Sequence, residues 1–223
     1  MTREEFDRER HNSFLNFLLD NWGILESEIY DRLDLPGRQI ICEFGAGAQG
    51  IAFMTEDGGF VKVTDSEREA AFAATIRGWN LPEFPIIHDI YAFELGTQPL
   101  FAIYRESVDD YLGAFPDEEL DDLIHEAMED ARMEPPSFDA MERLRAIAPH
   151  HHAEITGLLA ALDRFAGRTG LCVHDLHSEN IGQTDDGRIV VRDFGMNSMT
   201  FAEIKEVIGN LQELPEPAAE LAA

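Results

Sequence analysis

Positive charge is scarce in this chain. Seventeen lysines and arginines face 44 aspartates and glutamates, for a formal net charge of −27, and no run of Lys or Arg interrupts the acidity. Such a surface repels nucleic-acid phosphates and anionic lipid, so binding to DNA, RNA or a membrane surface is not expected. Cysteine is scarcer still. Cys42 and Cys172 are the only two, too few for a disulfide framework and without partners at metal-ligand spacing, so a reducing, cytoplasmic setting is the expectation. No apolar run approaches the length of a membrane span, and the opening Met-Thr-Arg-Glu-Glu carries no signal-peptide core. What is present is a chain of 223 residues, long enough to bury a real core as one large domain or as two lobes sharing a cleft.

The chain changes texture along its length. Phe6, Phe14, Leu18, Trp22, Leu25, Ile29 and Leu33 recur every three or four residues, the apolar stripe of a helical arm over residues 1–36 that Pro36-Gly37 ends. From Gln39 the pattern is β-rich. Gly45-Ala46-Gly47-Ala48-Gln49-Gly50 separates two strands, Glu56-Asp57-Gly58-Gly59 turns into a third, and Asp65 or Ser66 can cap a helix reaching Ile76. Two further strands, Ile86 to Glu94 and Leu100 to Arg105, complete a reading of five antiparallel strands with one helix inserted after the third. Residues 37–106 therefore form a β-rich lobe. Residues 107–212 read as mostly helical, with candidate helices at 108–114, 117–132, 138–147 and 150–169, two short strands at 181–183 and 188–192, and a helix near 200–211. Residues 213–223 read as a tail.

Four elements carry chemistry. The glycine stretch is weak alone, and because a strand rather than a helix follows it, a dinucleotide-binding turn does not apply. Between two antiparallel strands it can lay backbone N–H groups over phosphates. Lys62 sits mid-strand in Phe60-Val61-Lys62-Val63, on the face opposite its valines, and can reach the same phosphates if a carboxylate holds it. Glu67 and Glu69 are the candidates, and Glu69 is the better placed because it borders the apolar Ala70-Ala71-Phe72. In His174-Asp175-Leu176-His177-Ser178-Glu179-Asn180, Asp175 can serve an attacking hydroxyl and Asn180 can offer a hard oxygen to Mg²⁺. Asp193, closing the apolar strand before Phe194-Gly195, is costly to bury unless paired or metal-bound. His150-His151-His152 reads as a solvated helix end, the acids at 109–110 and 117–122 as helix N-terminal charges, and Trp22 and Trp79 as packing residues.

Glycine loop, strand lysine, D-L-x-x-x-N and D-F-G stand in this order, each in fitting context, and together resemble the protein-kinase-like superfamily over about residues 39–200. D-F-G is similar to protein kinases; Asp175-Leu176-His177 followed by Asn180 is closer to the aminoglycoside and choline phosphotransferases. The resemblance implies an α+β, two-lobed fold with a five-stranded antiparallel N-lobe and a truncated helical C-lobe, and ATP with Mg²⁺ as cofactors. Residue by residue, Gly45, Gly47 and Gly50 would cover the phosphates and Ala52 would sit over adenine. Lys62, backed by Glu69, would hold the α- and β-phosphates, and Glu106 to Val108 would offer backbone groups to the adenine edge. Asp175 would orient the acceptor hydroxyl, and Asn180 and Asp193 would ligate Mg²⁺.

The departures shape the functional expectation. Val173 stands where such families carry a histidine, and position 174 is His174, not an arginine that could grip a phosphorylated loop. Only 28 residues follow Gly195, too few for the usual peptide-binding helices, so a substrate platform is expected from the N-terminal helix and residues 109–150, or from a protein partner. The leading expectation is a phosphotransferase acting on a hydroxyl of a protein, of the chain itself, or of a small molecule of the aminoglycoside kind; the acidic surface would suit a cationic acceptor. Two alternatives stay open: a nucleotide-binding pseudokinase and an acidic interaction module on the same scaffold.

Overall fold

The structure is a computed structural model. It describes residues 3–32, 40–47, 50–56, 58–79, 81–110, 122–123, 126, 138–174, 176 and 180–212. The chain is mixed α/β with antiparallel strand pairs, and it separates into two compact units. One holds residues 1–77, 87–105 and 201–223, the other residues 78–86 and 106–200.

In the first unit, helices α1 (Arg3–Asp20) and α2 (Trp22–Arg32) precede strands β1 (Ile40–Gly47), β2 (Gly50–Thr55) and β3 (Gly59–Thr64). Helix α3 (Glu67–Ile76) comes next, then β4 (Ile87–Leu95) and β5 (Gln98–Glu106). The strands form one sheet in the order β1-β2-β3-β5-β4, with β1/β2, β2/β3 and β4/β5 antiparallel. Strand alternation sends Ile51, Phe53, Val61 and Val63 to one face. There they share a core with Phe14 and Leu18 of α1 and Leu25 and Ile29 of α2. The arm therefore closes one face of the sheet, and Trp22 leans on Phe53 with ring centroids 4.8 Å apart. Lys62 lies on the opposite face.

Helix α3 starts where the sequence allows it to. The Ser66 hydroxyl accepts from the Glu69 N–H at 3.2 Å, satisfying one of the unpaired donors of a helix start. In the usual reciprocal cap the glutamate at this position reaches back to the serine N–H. Here Thr64 Oγ1 accepts that N–H at 3.0 Å, which leaves the Glu69 carboxylate for other work. The last helix, α6 (Phe201–Gln212), belongs to this unit. It packs on α3 and β4 with Ile204 and Ile208 buried, and Lys205 Nζ lies 3.0 Å from the Glu67 carboxylate.

The second unit contains β6 (Val108–Asp110), α4 (Phe138–Ile147), α5 (Pro149–Thr169), β7 (Ile181–Thr184) and β8 (Ile189–Val191). Pro at the first position of α5 and Gly170 at its end, with φ 72°, are the expected start and stop of a helix. β6, β7 and β8 form a three-stranded antiparallel sheet. Val108–Asp110 is thus a strand paired to β7, not the start of a helix over 108–114; residues 111–114 lie outside the described residues. So does most of the 117–132 candidate, of which Leu123 is helical and buried. Among the described residues, no helix is long and apolar enough to cross a membrane.

Candidate functional site

The candidate residues fall in both units, and each unit brings its own share together. In the first, Gly45 and Gly47 lie in β1 and pair across to Ala52 and Gly50. Ala48 and Gln49 are outside the described residues. Gly50 has a packing reason to be glycine: a Cβ there would lie 2.2 Å from the Val63 carbonyl oxygen. Ala52 is the direct cross-strand partner of Lys62, so both point to the same face, and both are half-buried. From α3, Glu69 meets this lysine: Lys62 Nζ donates to Glu69 Oε1 at 2.6 Å, with the lysine side chain 13% exposed and the glutamate 1%. Glu67, the other candidate, pairs with Lys205 instead.

The pairing has a local cause. β3 ends at Thr64 and α3 begins at Glu67, so the first helical turn starts beside the strand that carries Lys62. The capping arrangement turns Glu69 inward. A carboxylate this deeply buried is costly unless a cation compensates it, and Lys62 supplies that cation from a rigid strand.

In the second unit, the β7–β8 hairpin pairs Ile181 with Val191, and the Arg192 N–H donates to the Asn180 carbonyl at 2.9 Å. Asn180 and Asp193 are therefore carried to the same open end of one hairpin. Asp193 Oδ1 accepts the Gly195 N–H at 2.9 Å, the local turn that Asp-x-Gly favours. Phe194 is buried and meets Phe84 edge-on, ring centroids 6.3 Å apart. Asp175 lies outside the described residues, but its flank does not. Val173 bridges Asn197, the His174 N–H donates to the Met196 carbonyl at 2.7 Å, and the Ser198 N–H donates to the Cys172 carbonyl at 2.9 Å. The segment 172–174, just before Asp175, is thereby laced to the segment that follows Asp193.

Glu106 and Val108 are engaged in their own unit. The Glu106 N–H donates to the Ile86 carbonyl at 2.9 Å, so that donor is not free for an adenine edge. Its carboxylate accepts the Ile86 N–H at 3.0 Å and two bonds from Arg188 Nη2 at 2.6 Å. Val108 pairs with Thr184, packed over Gly182, where a Cβ would come within 2.2 Å of Val108 Cγ1. Burial works against the Arg188 charge, yet the bonds to Glu106 and Asp186 outweigh it and hold the guanidinium above its ordinary value. Thr184 and Arg188 hydrogen bonds hold the Asp186 carboxyl below its own.

No family model matches the chain, and no curated protein does. Among solved structures, a MAP kinase from Leishmania major is similar at a TM-score of 0.44 and 16% identity, over 77% of this chain and 49% of that one. The chain spans about half the length of that kinase. At such distance the likeness assigns neither activity nor substrate.

Arg188 is the organising residue that sequence reasoning missed. In sequence it is only the first residue of the candidate strand 188–192, yet it fastens the start of β8 to Glu106 and, through Nη1, to the Phe84 carbonyl at 3.3 Å. An odd basic residue opening a strand in so acidic a chain was its one available signal. Trp79, read as a packing residue, is 46% exposed.

Proposed function

We propose that this chain is an ATP- and Mg²⁺-dependent phosphotransferase that moves the γ-phosphoryl group to a hydroxyl acceptor. One observation carries the reading, the buried 2.6 Å pair of Lys62 and Glu69 facing the same way as Ala52. Two apolar residues would fill that place at no electrostatic cost, so a lysine kept 13% exposed beside the glycine hairpin points to an anionic ligand. Supporting it, Asn180 and Asp193 share one hairpin end and offer hard oxygen donors. Mg²⁺ shared with phosphates needs only one or two such ligands. Among the described residues there is no group of three His, Cys, Asp or Glu that could hold a metal.

In this reading Lys62 would neutralise the phosphates, and Asn180 and Asp193 would hold Mg²⁺, which would supply charge stabilisation to the phosphoryl oxygens. Asp175 orients the acceptor hydroxyl and takes its proton as the new O–P bond forms and ADP departs. Positioning and charge stabilisation supply the acceleration. The acceptor is a protein Ser or Thr, the chain itself first, with a cationic small molecule as the other destination.

The test is incubation with γ-labelled ATP and Mg²⁺ beside Asp175→Ala and Asp193→Asn, following label into the chain, a basic protein and an aminoglycoside panel. Transfer lost in both variants is expected, with circular dichroism unchanged. Wild-type transfer by Asp193→Asn would refute the assignment. One observation favours a second reading, a nucleotide-binding module without transfer: Val173, where related enzymes carry histidine, is buried in its bridge to Asn197. Retained ATP binding with no label anywhere would select it.

A further inference from the structure

Residues 78–86 link α3 to β4 and lie in the second unit, against α5. A cavity of about 440 Å³ opens there, within the range that holds a small organic ligand. Leu81 and Ala161 give it apolar wall, and its polar groups are Glu83, Arg164 and Arg168, with Trp79 alongside. Arg164 and Arg168 stand four residues apart and Ala161 three before them, so α5 presents all three on one face.

Three features are unusual together. Glu83 is 2% exposed, and its Oε1 is buried without a hydrogen-bond partner. The cation within ion-pair range is Arg168 Nη2, at 3.7 Å, too far to donate. Burying a carboxylate on these terms is costly. Arg168 is itself 63% exposed, and among the described residues neither arginine has a carboxylate at hydrogen-bonding distance. In a chain of net charge −27, two guanidiniums on one cavity wall, one of them in only a long ion pair with Glu83, are conspicuous. Trp79 leaves nearly half its surface in water beside them, whereas indoles ordinarily bury their rings. Arg168, in the last turn of α5, does complement the helix dipole, but that explains neither Arg164, nor the unspent Glu83 acceptor, nor the exposed indole.

We propose that this cavity binds a small flat-ring ligand carrying one anionic group and one hydrogen-bond donor. The ring lies against Trp79, the carboxylate or phosphate meets Arg164 and Arg168, and the donor satisfies Glu83 Oε1. None of these residues enters the phosphotransferase reading, so the two stand or fall separately.

The chain has two tryptophans, hence two indole N–H signals in a ¹⁵N spectrum, assigned with Trp79→Phe. The full chain is titrated with 4-hydroxybenzoate, indole-3-carboxylate and 4-aminophenyl phosphate, and with 4-hydroxybenzyl alcohol as the neutral control. At least one anion is expected to move the Trp79 signal saturably while the Trp22 signal stays. Affinity should fall about tenfold or more for the alcohol and for Arg164→Ala, the loss of one charge-assisted contact. Arg164 is exposed, so its removal leaves the fold and the Arg168–Glu83 contact in place. No saturable movement with any of the three anions up to about 10 mM, or equal responses from the alcohol or from Arg164→Ala, would overturn the proposal.

Discussion

Replacing Lys62 with methionine strips the cation from a carboxylate that is 1% exposed. Breaking a buried pair on one side costs about 3–5 kcal/mol, because the remaining charge is left uncompensated. Lys62 retains 13% exposure, so some water can reach the site and the lower end, about 3 kcal/mol, is expected. Replacing both partners, Lys62→Met with Glu69→Leu, removes the uncompensated charge along with the pair. The double variant should return to within about 1 kcal/mol of the wild type, in either direction. The cap of α3 survives, since Ser66 accepts from the Glu69 backbone and not its side chain.

Urea unfolding in a Trp79→Phe background reads this cycle cleanly. The remaining indole, Trp22, sits on Phe53 in the same unit as the pair, so its fluorescence reports that unit even if the two melt separately. The functional arm is MgATP affinity by calorimetry. The stable double variant should lose about a hundredfold or more, the worth of a charge-assisted phosphate contact in a partly dry site. A double variant as unstable as Lys62→Met would show that the pair is not the local source of the cost. A stable double variant with wild-type MgATP affinity would show that the lysine is not there for phosphate. Either result refutes the reasoning.

Arg188→Ala removes two bonds to Glu106, whose side chains are 26% and 20% exposed; discounting the buried-pair cost for that exposure, about 2 kcal/mol should be lost. Fluorescence of Trp79 in a Trp22→Phe background follows it, and a loss below about 0.5 kcal/mol would contradict the assignment. Gly50→Ala should cost about 2–3 kcal/mol in urea unfolding, because the new Cβ meets backbone at Val63 and not a yielding side chain. The Asp186 carboxyl is held below its ordinary value of 3.8. Its contribution is therefore complete above that value and is lost as pH falls through the lower folded value. Asp186→Asn should flatten that acid limb of the stability curve by lowering stability at neutral pH, where the contribution of the Thr184 and Arg188 contacts to the carboxylate is complete.

Much of the first unit was legible because its signals are local. Strand alternation around Phe53 and Val61, the cap candidates Asp65 and Ser66, of which Ser66 caps α3, and the stripe of Phe14, Leu18, Leu25 and Ile29 are all read from residues near one another in the chain. Lys62 and Glu69 are seven residues apart, a short span for such a pair until the turn from β3 into α3 brings them together. What was not legible depends on distant partners. Arg188 meets Glu106 across 82 residues, and nothing beside either residue says so. Val108–Asp110 is a three-residue strand, too short for alternation to register, so its two aspartates read as helix-start acids. In α6, the spacing of Ile204 and Ile208 announces one buried face but not that α3 lies beneath it.

Glu69 and Glu83 are the acidic side chains buried most completely among the described residues, in a chain with ample surface to keep every acid in water. Each leaves one carboxylate oxygen buried without a hydrogen-bond partner, Glu69 Oε2 and Glu83 Oε1, and they differ in how the charge is answered. Glu69 is answered at 2.6 Å by a lysine fixed on the central part of a sheet, so the protein compensates its charge and the by-product is a lysine held in one orientation. Glu83 is answered at 3.7 Å by the end of a mostly exposed arginine, so compensation is incomplete and an acceptor remains unspent. Since desolvation is costly in both places, the first carboxylate is best understood through the group it positions and the second through the group it still lacks. The first therefore points to an anion beyond Lys62, the second to a donor arriving from outside the chain.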